Sequence, residues 1–411
     1  MGSRLIEGWR KTVASDKALK ACTREAEFDV MYPTGFITLD HMNGTRVHVH
    51  RNGIDLDYKA IGIVDGSANT FISRPGCGKS TLVTQIIGNL LRAFPESEAY
   101  IDDIEGSLPM PRKEFLLGLP EEELKTRVFF RNTDITTENV YGQIKWIHDQ
   151  KINARAEFEY DTGLYDTYGN RIFKLRPTFY FIDSFAMLMP DDILEGEMDK
   201  GMGATATAKK NTQLVKKISQ LLKAANIVLF TINHINDDVN TGFMPKPVQI
   251  DGLKQGERMP GGKAVQYLAN NLFRMDQRGT LKEEEGYGIF GTVIDVSSVK
   301  SRTNASKKMA IPLIFDKTNG KFDNILSIYH YLKTEGYVGG AGRSMFFNNA
   351  PDIKFSQKEF KQKLYSSPEL QKAFAEISKE AMERMLSDTM NKTEEANMND
   401  NINNLILGLS A

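Results

Sequence analysis

Apolar positions along this chain change period several times. Between about residues 71 and 330, short crowded runs stand apart from one another: Ala99–Ile101, Val128–Phe130, Thr178–Ile182, Ile227–Ile232, Leu272–Met275, Thr292–Val299 and Ile311–Phe315. Helical stretches separate them. The clearest is the first, where Leu82, Val83, Ile86, Ile87, Leu90 and Leu91 recur three and four residues apart, directly after the β-prone run Asn69–Ile72. Alternation of this kind predicts an α/β fold on a mostly parallel, twisted sheet with helices on both faces.

The flanks read differently. Residues 1 to about 27 suggest an amphipathic helix anchored by Leu5, Ile6 and Trp9. Next come Phe28-Asp29-Val30, the turn Pro33-Thr34-Gly35, and an extended segment around Val47–His50. A polar, aromatic insert at 155–176 predicts a surface hairpin, and Ser356 with Glu359 predicts a capping box opening a charged helical region at 352–386. The Asn-rich end, 390–411, predicts disorder, with Ile402, Leu405, Ile406 and Leu409 as a candidate partner peptide. The expected division is an N-terminal oligomerisation segment at 1–32, a core at 33–335, a small C-terminal lobe at 336–389 and the tail.

Bulk composition narrows the function classes. Fifty-two basic residues against 53 acidic ones argue against a generally basic nucleic-acid coat, so any polyanion site must be local. Two cysteines, Cys22 and Cys77, cannot build a disulfide framework and fit a reducing cytoplasm. No apolar run reaches membrane-spanning length, and the first residues lack the hydrophobic block of a signal peptide.

The chemistry starts in Ser73-Arg74-Pro75-Gly76-Cys77-Gly78-Lys79-Ser80-Thr81, a glycine-containing loop between strand and helix. Backbone N–H groups there, with the helix dipole, would face the phosphates of a nucleotide. Lys79 would add a point charge and Ser80 a hydroxyl ligand for Mg²⁺. The pattern G-x-x-x-x-G-K-[ST] has Ser73 where glycine is usual, so the first turn is expected not to need a glycine-only backbone angle.

Three further strand ends carry polar groups. Thr178–Ile182 closes on Asp183, a candidate for the magnesium shell. Ala99–Ile101 runs into Asp102, Asp103 and Glu105, three carboxylates competing to activate water. Val228–Ile232 ends in Asn233-His234, where the histidine is either a γ-phosphate sensor or a satisfied buried ring. Downstream, Lys300, Arg302, Lys307 and Lys308 form an acid-free basic cluster. His48 and His50, with His41 nearby, lack the cysteine or carboxylate that a metal site requires.

With these residues in hand the chain resembles a RecA-type homologous recombinase, nearer the phage UvsX-like branch, over residues 28 to about 340. Pro33–Asp40 is similar to the segment opening that family's ATPase core, Asp103-Ile104-Glu105 to its Asp-x-Glu segment, and Phe181–Ser184 to its Walker B strand. Ile232-Asn233-His234 resembles the γ-phosphate switch, Met259–Ala264 the double-glycine end of the second DNA loop, and Val299–Thr303 the strand that reaches a neighbour's ATP. The resemblance implies a RecA-like P-loop NTPase core, a DNA-dependent ATPase using ATP and Mg²⁺, with Glu105 as catalytic glutamate, His234 as sensor, and Lys300 and Arg302 acting across a filament interface. It also implies a phage protein working in the host cytoplasm on single-stranded DNA and homologous duplex, with mediator and single-strand-binding proteins as partners. Arg112 stands where the family stacks an aromatic on adenine.

DNA would be held by two loops, at about 190–203 and 236–262. The candidate contacts are Met202, Phe243, Lys246, Lys254, Arg258, Gly261, Gly262 and Lys263, with Met202 and Phe243 read either as base wedges or as small satellite-core contacts. A 27-residue segment without obvious secondary structure is usually functional. Two other functions compete: a hexameric DnaB-type replicative helicase, whose Lys-x-Arg segment Lys300-Ser301-Arg302 also matches, and an accessory protein using ATP only as an assembly switch.

Overall fold

Neighbouring residues of one strand enter different hydrophobic clusters. Phe179 and Phe181 pack with Leu82, Ile86 and Leu90, whereas Tyr180 and Ile182 pack with Val140, Ile144, Ile147, Leu214 and Ile218. This is the period of two expected of a sheet covered on both faces. The strand is fully buried from Thr178 to Asp183, which is why its sequence reads as an unbroken apolar run. Each fully buried phenylalanine contributes roughly 1.5–3 kcal/mol relative to exposure.

The computed structural model describes residues 11, 30–51, 53–106, 108–165, 171–194, 203–237, 252–260, 263–282, 289–302 and 309–386. Apart from Lys11, the expected N-terminal helix lies outside these residues, as do the tail, Met202, Phe243, Lys246, Gly261, Gly262, Lys307 and Lys308.

The main sheet has nine strands: β1 (Ala68–Ser73), β2 (Ala99–Asp103), β3 (Val128–Arg131), β4 (Thr178–Asp183), β5 (Ile227–His234), β6 (Asn271–Lys282), β7 (Ile289–Ser301), β8 (Ala310–Asp316) and β9 (Lys321–Asp323). Their order is β9-β8-β7-β6-β1-β5-β4-β2-β3. The six strands from β6 to β3 pair parallel, so the sheet is mostly parallel as expected. The pairings β6–β7, β7–β8 and β8–β9 are antiparallel. Connection length explains the switch. The segments after β6, β7 and β8 are too short for a crossover helix, and parallel pairing needs a dozen or more linking residues.

Helices cover the two faces. On one side lie α1 (Ile37–Asn43), α2 (Lys79–Ala93) and, further along the chain, α7 (Asn324–Thr334); on the other lie α4 (Thr137–Asn153), α5 (Gly203–Ala225) and α6 (Lys263–Leu268), with α3 (Met110–Leu117) beside α2. Among the described residues no helix is long and apolar enough to cross a membrane.

The insert forms the expected hairpin, Glu159–Tyr165 against Arg171–Leu175. Its Lys174 reaches buried Asp65 at 2.6 Å, a carboxylate that also accepts Lys223 and the Val30 amide. The C-terminal lobe shares its apolar cluster with α1: Leu39 and Met42 belong with Phe360, Phe374, Met382 and Met385. Arg46 and Lys59 both pair with Glu383. Only half of the predicted capping box forms: the Glu359 amide donates to the Ser356 hydroxyl at 3.2 Å, but that hydroxyl, and not the Ser356 amide, donates to the Glu359 carboxylate at 2.9 Å, in a turn just before the helix Phe360–Ser366.

The turn at Pro33 is held by Asp40, which accepts from the Thr34 amide at 2.7 Å and hydroxyl at 2.6 Å. Asp40 is 2% exposed, and burial pushes its carboxyl up to about 7, against the lowering effect of these hydrogen bonds. A raised folded-state value means the folded chain holds the proton more tightly than the unfolded one. The corresponding stability is complete below about pH 4 and is lost as pH rises to about 7. Asp40→Asn keeps the accepting oxygen and removes the titration. It should match the wild type near pH 4 and exceed it at pH 8, the gap growing by at most about 1.4 kcal/mol per pH unit in urea unfolding.

Candidate active site

Register brings the polar strand ends together. On β5, His234 pairs with Ser73 of β1, Met275 of β6 flanks Ser73 on its other side, and Asp183 of β4 pairs with Asp103 of β2. Ser73, His234, Asp103 and Asp183 lie at the carboxyl ends of parallel strands, the edge where open α/β sheets bind ligands.

The glycine-rich loop leaves β1 at this edge and enters α2 at Lys79. Gly76 and Gly78 have φ of 83° and 77°, left-handed values that a side chain would resist. Ser73 is not among the positive-φ residues, which accounts for the missing glycine. Its hydroxyl instead works inside the loop, donating to the Arg74 carbonyl at 2.6 Å and accepting from Lys79 Nζ at 2.9 Å. Cys77 is a buried free thiol. Thr81 is buried and Ser80 partly so, both in the first turn of α2.

Lys79 is 5% exposed. Burial pushes its ammonium below the ordinary lysine range, opposed by negative potential from Cys77, Glu105 and Asp183. Its Nζ also lies 3.5 Å from His234 Nδ1, and His234 Nε2 lies 2.7 Å from Glu105 Oε1. An ammonium only donates, so Nδ1 accepts and Nε2–H donates to the carboxylate. Cation, imidazole and carboxylate thus form one hydrogen-bonded chain.

The three carboxylates after β2 separate by their partners. Asp102 is buried against Arg131, which donates from Nε at 2.9 Å and Nη2 at 2.7 Å, and against the Tyr180 hydroxyl at 2.6 Å. Asp103 accepts the Gly106 amide at 2.8 Å and pairs with Lys113 at 2.6 Å. Glu105 alone of the three meets His234, while the Ile104 and Glu105 amides donate to the Asp183 carbonyl. Among the described residues no cluster of three or more His, Cys, Asp or Glu is placed to hold a metal by itself. His41 sits in α1 with Nδ1 at 2.8 Å from the Ile37 carbonyl.

Lys300 and Arg302 are not brought to the loop of their own chain. Lys300 pairs with Leu272, which pairs with Thr70, three residues before Ser73. At ~3.3 Å per residue this is about 10 Å toward the opposite edge of the sheet. There Lys300 Nζ donates to the Gln266 carbonyl at 2.6 Å and Arg302 Nη2 to the Tyr267 carbonyl at 2.7 Å, at the end of α6.

Of the DNA candidates, Lys254 and Arg258 are exposed, and Lys263 opens α6. Arg258 lies on a short ladder, Asn236–Asp237 against Glu257–Arg258, that closes the base of the second loop. Arg112 packs on Phe115, 5.4 Å from the ring centroid, and against Gly320.

Sequence reasoning missed how this base is fastened. Asn233 donates to the Pro260 carbonyl at 2.8 Å. Arg274, on β6, donates to Glu257 at 2.6 and 3.0 Å, to Asp276 at 2.7 and 2.9 Å, and to the Gly252 carbonyl at 2.7 Å. The guanidinium holds the Glu257 carboxyl down at about 2. An arginine inside the apolar run Leu272–Met275 was the available signal. No protein-family model matches the chain, and a search of curated proteins finds no match.

Arg274 and Glu257 side chains are each 6% exposed. Arg274→Met would strand Glu257 and should cost about 3 kcal/mol or more in urea unfolding. Adding Glu257→Gln should recover part of the loss, because the two changes share one interaction.

Proposed function

We propose that the chain is an ATP-dependent recombinase of the RecA type, which assembles as a helical filament on single-stranded DNA and promotes homologous pairing and strand exchange. The observation that carries this reading is the chain Lys79–His234–Glu105 across the loop, β5 and the end of β2. It groups a cation, a ring and a carboxylate beside the glycine-rich loop, which supports reading that loop as a triphosphate site.

Each group then has a role. Loop amides from Ser73 to Thr81 and the Lys79 ammonium hold the phosphates. Glu105 takes the proton of the attacking water, and His234, bonded to both Lys79 and Glu105, senses the γ-phosphate. One residue away, Asn233 is tied to Pro260, so the state of His234 adjoins the second loop.

Ser80 and Asp183 offer the hard oxygen donors that magnesium takes, one or two protein groups with phosphate oxygens completing its shell. Asp183 suits this as a buried carboxylate at a strand end beside Lys79. When bound, the ion would neutralise charge on the phosphate oxygens. Lys300 and Arg302, distant from their own loop, fit cations that serve a neighbouring copy.

Turnover in the presence of single-stranded DNA tests the assignment. Glu105→Gln should lower it about a hundred- to ten-thousandfold with nucleotide affinity kept, and Lys79→Ala should abolish it. Wild-type turnover in either variant would remove the central assignment. Electron microscopy with single-stranded DNA and a non-hydrolysable ATP analogue should show open spirals, whereas closed rings would favour the helicase.

A further inference from the structure

Arg74, the first residue after β1, carries a guanidinium that leaves the loop for the second-loop ladder. Its Nη2 donates to Asp237 Oδ1 at 2.6 Å and its Nη1 to Oδ2 at 3.4 Å, and Glu257 Oε1 lies 3.8 Å away. Glu257 and Asp237 face each other across that ladder. Arg74, Asp237, Glu257, Arg274 and Asp276 therefore form one network of alternating charge joining the glycine-rich loop, the ladder and β6.

The two halves of this network differ in how tightly they are held. Arg274 and Glu257 are buried, and Arg274 makes five hydrogen bonds. Arg74 and Asp237 are 49% and 70% exposed, where an ion pair is screened and weak. The outer arginine is thus the member free to change acceptor at little cost. It also sits on the loop read as the triphosphate site, and a guanidinium binds phosphate oxygens through the same fork that it offers a carboxylate.

We propose that Arg74 is a positioning residue shared between the second-loop ladder and a bound triphosphate, so that nucleotide and Asp237 compete for one guanidinium. The proposal rests on the reading of the loop as a triphosphate site. Nucleotide binding then unfastens the ladder from the loop, while the buried Arg274–Glu257 pair keeps it attached to β6. Coupling between sites is reciprocal, so a ligand that favours the unfastened ladder tightens nucleotide binding by the same factor.

Titration of a fluorescent ATP analogue tests this in full-length protein, with urea midpoints confirming that each variant is folded. Asp237→Asn removes the competing charge and should tighten nucleotide binding about two- to fivefold at low salt, the gap closing as salt rises. Arg74→Ala should weaken binding and Arg74→Lys should fall between it and wild type. In the Arg74→Ala background Asp237→Asn should have no further effect. Any tightening of the wild type's nucleotide affinity by oligo-dT should shrink in Asp237→Asn. Equal or weaker nucleotide binding by Asp237→Asn, or a gain that survives loss of Arg74, overturns the proposal while leaving the triphosphate site standing. Failure of the wild type to bind the analogue overturns both.

Discussion

Parallel register is the constraint on which this molecule depends. Because β1, β5, β4 and β2 all run in one direction, their carboxyl ends lie along a single edge, and residues as far apart in sequence as Ser73 and His234 become neighbours. His234 meets Glu105 and Lys79 only because β5 lies between β1 and β4. Had β5 slipped by one residue, its alternating side chains would exchange faces, so apolar burial in the two clusters polices the geometry of the polar edge.

Charge at this edge is arranged by depth. Buried carboxylates that must stay in place, Asp102, Asp103 and Glu257, each face a buried or half-buried cation: Arg131, Lys113 and Arg274. Desolvation makes such pairs costly to break from one side, which fixes strand ends and ladder alike. Glu105 and His234 lie nearer to solvent, at 20% and 26% side-chain exposure, where a reactant can reach them. Lys79 is the intermediate case, a buried ammonium kept in position by the Ser73 hydroxyl and the loop carbonyls.

The apolar runs made the main strands legible in the sequence, and the loop, Asp183, His234 and the carboxylate group Asp102, Asp103 and Glu105 could be found because each lies just beyond such a run. Spacing could not choose among Asp102, Asp103 and Glu105 without a family resemblance, since the choice depends on Arg131 and Lys113, which reach them only in the folded chain. The antiparallel direction of β7 and β8 was hidden for a related reason: their apolar content matches that of parallel strands, and only connection length betrays it, while β9, Lys-Phe-Asp, has no apolar run to mark it. The Arg274 network was obscured because its partners come from a segment read as irregular.

The shared packing of α1 with the helical residues 368–386 has a bearing on how the chain reaches its final form. Arg46 and Glu383, which join these regions, are 337 residues apart. During synthesis the early segment emerges long before the residues that cover it, so part of the apolar surface of Leu39 and Met42 stays uncovered until Phe360 to Met385 have been made. Closure of this seam therefore waits on residues made more than three hundred positions after α1.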